Sequence, residues 1–146
     1  MLLQGKVGIV SGIGPGMGRD ISLAFAREGA DVVLVGRTQA KLDAVAAEVE
    51  SLGRRALPLV ADIADEAACV AVAEQAVAEL GGVDIVVNNA YDGGDAKTFL
   101  EADFDRWRQT MEVNLFGSLA MTRACVPALE ASGDGRLTLA TGPSSG

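Results

Sequence analysis

The chain has 146 residues, which suits one domain, and 49% of them are hydrophobic, enough for a sizeable core. Its formal charge of −8 comes with no basic run, which argues against nucleic acid, and its lack of histidine rules out a Ser-His-Asp triad and the usual Cys/His zinc site, so no metal is expected. No apolar run approaches the ~18 residues of a membrane span, and the opening residues, with Lys6 among them, do not read as a secretory leader, so neither a membrane nor export is expected and a cytoplasmic location is.

Short apolar runs alternate with longer amphipathic ones. Lys6 to Val10 reads as a buried strand, followed by a glycine-rich loop. "DISLAFAREGA" places Ile21, Ala24 and Phe25 at helical spacing and stops at Gly29. Asp31 to Val35 is a second strand, and Thr38 is placed to cap the helix "QAKLDAVAAEVESLG". "ALPLVA" is a third strand. Asp65 caps "EAACVAVAEQAVAELGG", and "DIVVNNA" is a fourth strand. The loop "YDGGDAKTF" looks flexible, with its Asp residues in solvent. One long helix is expected from about Asp103 to Ala131, and Arg136 to Ala140 is a fifth strand. Cys69 and Cys125 fall in alanine-rich helical patterns and read as small buried hydrophobes rather than nucleophiles. Strands apolar throughout expect cover on both faces, and strands alternating with helices imply a parallel sheet with right-handed crossovers. The fold class is therefore α/β, a doubly wound parallel sheet with about five strands present, over one domain spanning residues 1–146.

The loop "SGIGPGMGRD" carries Gly12, Gly14, Gly16 and Gly18 between the first strand and the first helix. It fits neither G-x-G-x-x-G nor the P-loop, but it does fit G-x-x-x-G-x-G. Glycines there permit a tight turn and close approach of a pyrophosphate, which meets the N–H donors and positive dipole of the helix start. Pro15 has no donor to give, so the contacts must come from its neighbours. This points to a dinucleotide-binding Rossmann fold. An acid about 20 residues further on would bond the ribose 2′-hydroxyl of NAD. Gly36 and Arg37 stand there instead, leaving room for a 2′-phosphate and offering a guanidinium to it, so NADP is expected ahead of NAD.

Four motifs in order resemble the short-chain dehydrogenase/reductase family: "SGIGPGMG", "ADI" at Ala61 to Ile63, "NNA" at Asn88 to Ala90, and "MEVNLFG" at Met111 to Gly117. The resemblance implies a cofactor site drawn from Gly12, Gly14, Pro15, Gly16, Met17, Gly18, Arg37, Asp62, Ile63, Asn89, Ala90 and Val113. Asp62 would meet the adenine with Ile63 beside it, Asn89 would lie under the cofactor, and Asn88 would tie strands together. Asn114 would help hold a water in a proton relay. Tyr91 departs from the glycine of the family's N-N-A-G. The implied activity is hydride transfer between nicotinamide and a small carbonyl or alcohol substrate, with a Tyr-x-x-x-Lys pair supplying the acid and base. The chain's one tyrosine, Tyr91, has Asp95 four residues on, so that pair is expected downstream of Gly146 and the domain is read as incomplete at its C-terminus.

Two readings stay open on the residues: the cofactor-binding part of an oxidoreductase, inactive alone, or a nucleotide-binding module without catalysis. The ending "TLATGPSSG" adds a choice. Ser144 is the candidate for the family's substrate-orienting serine, with Ser145 as rival, and a linker-like tail is the competing reading. Phe104, Trp107, Met111, Leu115 and Leu119 recur at spacings of three and four on the long helix, and such a stripe needs a partner on more than one side. The family resemblance implies that a neighbouring subunit of a homo-oligomer supplies it, and packing on its own sheet is the competing reading.

Overall fold

The computed structural model describes residues 1–140. The chain alternates β1 (Val7–Ser11), α1 (Met17–Arg27), β2 (Asp31–Gly36), α2 (Gln39–Ser51), β3 (Ala56–Val60), α3 (Glu66–Leu80) and β4 (Ile85–Asn88). After a loop come α4 (Phe104–Met111), a π-helical segment (Glu112–Gly117), α5 (Ser118–Ser132) and β5 (Arg136–Leu139). All five strands are parallel, in the order β3-β2-β1-β4-β5. The expected doubly wound sheet is present, and its direction of winding reverses beside β1.

Successive side chains on a strand point to opposite faces, so each central strand feeds two cores. On one face Ile9, Val33, Val35 and Val86 meet Cys69, Val72 and Ala76 of α3 and Met121 and Cys125 of α5. On the other, Val10, Val32, Leu34 and Val87 meet Leu23 of α1 and Leu42, Val45 and Val49 of α2. Burial of each such aliphatic side chain stabilises by about 1.5–3 kcal/mol, which fixes the sheet between its helices. Both cysteines are fully buried and free, as small apolar residues would be. Asp31, at the start of β2, is buried too, but its carboxylate accepts bonds from Arg54 Nη2 (2.7 Å), Arg55 Nε (2.8 Å) and the Arg55 N–H (3.0 Å). Asp65 caps α3 as expected, accepting from the N–H groups of Ala67 and Ala68. Thr38 is the N-cap residue of α2 but makes no side-chain cap.

The structure differs from the sequence reading in two further places. An apolar strand is not always covered: β3 is half-buried at one edge, and all of β5 is exposed at the other, with Leu139 at 53%. The expected continuous helix from 103 to 131 is interrupted by π winding at residues 112–117. A π turn takes in more residues than an α turn and rotates the helix face. Val113 and Asn114 are thereby aimed at the loop after β4, while Ser118, Met121 and Cys125 face the sheet. Gly117 belongs to the same local fit, since a Cβ there would lie 2.8 Å from Ile63 Cδ1.

Candidate functional site

A cleft of about 610 Å³ opens at the C-terminal ends of the strands, where the winding reverses. Its first wall is Gly12 and Ile13, just past the end of β1. Gly12 has φ +76, and a Cβ there would fall 2.6 Å from Ala90 Cα, so the loops after β1 and β4 touch at this glycine. Gly18 is buried beneath it, with a would-be Cβ 2.5 Å from the Gly12 carbonyl oxygen. Gly14 and Gly16 are different: a Cβ at either would meet nothing within 4 Å. No side chain caps the N-terminus of α1, so its first N–H groups lack an internal partner. The four glycines therefore split into two that close the packing and two that leave a bare, positively polarised helix start.

The second wall is the end of β2. Gly36 is buried, and a Cβ would lie 3.1 Å from Leu42 Cδ2 and 3.2 Å from the Ile13 carbonyl oxygen, which explains the lack of a larger residue there. Arg37 follows, exposed, with Thr38 and Lys41 beside it on the cleft. The first turn of α2 contains no acid. The third wall is Asp62, whose carboxylate closes its own turn by accepting the Ala64 N–H at 3.0 Å, and Ile63, which is buried.

The fourth wall follows β4. Ser11 Oγ accepts the N–H groups of Asn89 (3.1 Å) and Ala90 (3.2 Å), and Asn89 Nδ2 donates to the Gly12 carbonyl at 3.2 Å. Ser11 and Asn89 thus join the ends of β1 and β4. Asn88 ties β4 to β5 through its main chain, its carbonyl accepting the Ala140 N–H at 2.9 Å, and its side chain adds a second tie: Nδ2 donates to Thr122 Oγ1 at 3.1 Å, fastening β4 to α5. Tyr91 is exposed and lines the cleft.

Gly12, Arg37, Asp62, Ile63, Asn89, Ala90 and Val113 all line this cleft. Gly14, Pro15, Gly16, Met17 and Gly18 form the turn and the start of α1 rather than its walls. Asn114 is aimed at the neighbouring loop: its Nδ2 donates to the Asp92 carbonyl (2.8 Å), and its Oδ1 accepts the Asp92 N–H (2.7 Å). Both polar atoms of the amide therefore already have a protein partner. Ser144 and Ser145 lie outside the described residues.

Sequence reasoning missed Asp92 and Arg106. The loop after Tyr91 was expected to carry solvated aspartates, but Asp92 is only half-exposed and its carboxylate is gripped by Arg106, with one bond at 2.7 Å. The Arg106 hydrogen bonds, aided by the Gly94 N–H and the charge of Arg37, pull its pKa down to about 2. Arg106, Thr110 and Asn114 recur every fourth residue, a spacing that puts them on one helix face, and this was the available clue. The cleft thus carries Arg37 and Lys41 on one side, Asp62 on another, and the mutually paired Asp92 and Arg106.

A family model described as short chain dehydrogenase matches residues 6–141. The chain belongs to the short-chain dehydrogenase family. An uncharacterised oxidoreductase from Mycobacterium tuberculosis is 41% identical over 134 residues, covering 91% of this chain and 51% of the relative. The 7alpha-hydroxysteroid dehydrogenase of Escherichia coli is 35% identical over 133 residues, with the same coverage of 91% and 51%. A metagenomic short-chain oxidoreductase solved in complex with NADP superposes with a TM-score of 0.91 at 30% identity, over 99% of this chain and 65% of that one. This short-chain dehydrogenase chain spans about half the length of the curated relatives it matches. Among the described residues no helix is long and apolar enough to cross a membrane.

Proposed function

We propose that this chain is the cofactor-binding part of an NADP-dependent oxidoreductase that moves hydride between nicotinamide and a small carbonyl or alcohol substrate. The observation that carries the reading is a pair of helix starts without a side-chain cap, that of α2 on the cleft and that of α1 at the turn beside it. At α1, Gly14 and Gly16 leave open space over uncapped N–H groups, which suits a pyrophosphate. At α2, Arg37, Thr38 and Lys41 surround a start that has no acid in its first turn, which suits a 2′-phosphate. A bound nicotinamide cofactor would supply the hydride chemistry. Asp62 and Ile63 would bound the adenine, Asn89 and Ala90 would form the cleft floor, and Val113 would close it from the π-helical segment. The metagenomic oxidoreductase, solved with NADP, supports a nicotinamide cofactor for this fold.

The catalytic Tyr-Lys pair is assigned to a downstream part of a longer protein, in keeping with relatives about twice as long. The 146-residue chain alone is then expected to bind nucleotide but to turn over no carbonyl substrate. The buried free thiols of Cys69 and Cys125 accord with a cytoplasmic location. Phe104, Met111, Leu115 and Leu119 are 65%, 48%, 41% and 53% exposed, so this stripe does not pack on its own sheet and supports a homo-oligomer. A monomer in sedimentation at micromolar concentration would remove the oligomer.

The test of the cofactor reading uses Trp107, the chain's one tryptophan, which lies next to Arg106 in sequence. Its fluorescence is followed while NADPH or NADH is added. NADPH is expected to bind more tightly. Equal affinity would overturn the 2′-phosphate assignment, and no binding of either would overturn the cofactor site. Absence of turnover with a panel of ketones and aldehydes is the expected companion result, and robust turnover would show that the chain carries its own acid.

A further inference from the structure

We infer that Asp92 and Arg106 form a positioning pair that holds the loop after β4 in the one arrangement that Asn114 can grip. This inference rests on the cofactor reading only for its consequence, because the geometry stands on its own. The fixed part of the loop ends at Ala90, where the Ser11 hydroxyl makes its last bond. Beyond that point the chain has no strand partner, and two side chains of one helix face take over. Asn114 reads the Asp92 main chain, donating to its carbonyl and accepting its N–H. Arg106 grips the same turn twice: at the Asp92 carboxylate, and at the Gly94 carbonyl at 3.1 Å. The carboxylate also accepts the Gly94 N–H at 2.9 Å, closing the turn on itself.

Thr110 sits between the two anchors on that face. Its hydroxyl accepts from Arg106 Nη1 at 3.1 Å and donates to the Arg106 carbonyl at 3.1 Å. The guanidinium is therefore held at both its ends. A planar two-pronged donor fixes direction as well as distance, which an ammonium in its place would not. The pair is partly shielded, with side-chain exposures of 28% for Arg106 and 24% for Asp92.

The consequence lies in the cleft. Tyr91, Asp92 and Gly93 are part of its wall, continuous with Asn89 and Ala90. A loop freed from Arg106 would leave the Asn114 amide without a fixed partner and the wall without a fixed position. Neither Asp92 nor Arg106 is assigned to the reacting atoms; both act through Asn114 and the loop.

The experiment uses the 146-residue chain labelled with nitrogen-15. The Asn114 side-chain amide signal is assigned by its disappearance in Asn114→Asp. Its shift and exchange with water are then measured in Arg106→Ala, Arg106→Lys, Asp92→Asn and the Arg106→Ala/Asp92→Asn double variant. Unfolding in urea and NADPH binding are followed in parallel. A working pair predicts that Arg106→Ala moves the amide toward a free asparagine and speeds its exchange roughly tenfold, the scale of one lost hydrogen bond. Arg106→Lys should fall between, and the double variant should do little more than either single change. NADPH should bind more weakly wherever the amide is released. An unchanged Asn114 signal in a folded Arg106→Ala protein would overturn the inference, as would full additivity. Should Arg106→Ala not fold, Arg106→Lys and Asp92→Asn decide by the same signal. If the parent chain binds no cofactor, the cofactor reading fails while the amide signal still decides the pair.

Discussion

The four glycines of the first loop permit a sharp prediction, because the structure assigns them different work. In Gly12→Ala the new Cβ must occupy a φ of +76, and it would stand 2.6 Å from Ala90 Cα and 2.7 Å from the Ala90 nitrogen. The conformational part costs about 1–2 kcal/mol. The neighbour is backbone, tied down by the Ser11 hydroxyl, so it cannot swing aside as a side chain would; such overpacking costs about 1–3 kcal/mol. The sum, about 2–5 kcal/mol, is a large part of the 5–15 kcal/mol that ordinarily holds a domain folded. Gly14→Ala meets no atom within 4 Å and has no positive φ, so its stability should stay within about 0.5 kcal/mol of the parent. The same change places a methyl where the cofactor is proposed to approach. Urea unfolding followed by circular dichroism, with NADPH titration alongside, separates the two. Gly12→Ala should lower the unfolding midpoint by about 1 M or more, and Gly14→Ala should lose NADPH affinity at an unchanged midpoint. A Gly12→Ala protein as stable as its parent would refute the account of how the two loops meet. A Gly14→Ala protein with undiminished affinity would refute the cradle.

Four further outcomes are expected. Arg37→Ala should weaken NADPH by about 1.5–3 kcal/mol and NADH far less, measured by the same titration; equal losses would count against a 2′-phosphate contact. Burial pushes the Cys69 thiol up to about 11 and the Cys125 thiol up to about 12, so both should resist a thiol reagent at neutral pH until the chain unfolds, and rapid labelling of the folded protein would contradict this. Asp92 titrates near 2 in the fold against an ordinary 3.8, so its contribution is present above the ordinary value and fades as pH falls towards 2; Asp92→Asn should abolish that part of the acid slope seen in Trp107 fluorescence. Asp65→Ala should cost about 1 kcal/mol in urea unfolding through loss of the α3 cap, and no measurable loss would show that cap to be idle.

The strands, the helices and their alternation were legible because each depends on short-range rules. Apolar runs such as "DVVLV" mark strands, 3.6-residue spacing marks helices, and Asp65 and Gly29 mark ends. The cofactor side of the site was legible for a related reason: a strand, a glycine turn and a helix start are consecutive in the chain. Even so, the sequence could not say that Gly12 and Gly18 serve packing while Gly14 and Gly16 face open space. That depends on Ala90, Asn89 and the Gly12 carbonyl, and the two asparagine-loop residues are more than seventy positions away in the chain. The π winding at 112–117 was invisible for the same reason, since helical periodicity describes one helix alone whereas the register of this one is adjusted to Ile63 and to the Asp92 main chain. Arg106 and Asp92 each look like an ordinary surface charge in the sequence. Only the folded chain brings a guanidinium on α4 to a carboxylate in the loop after β4, because side-chain bonds of this kind follow distance in space, which the order of residues does not determine.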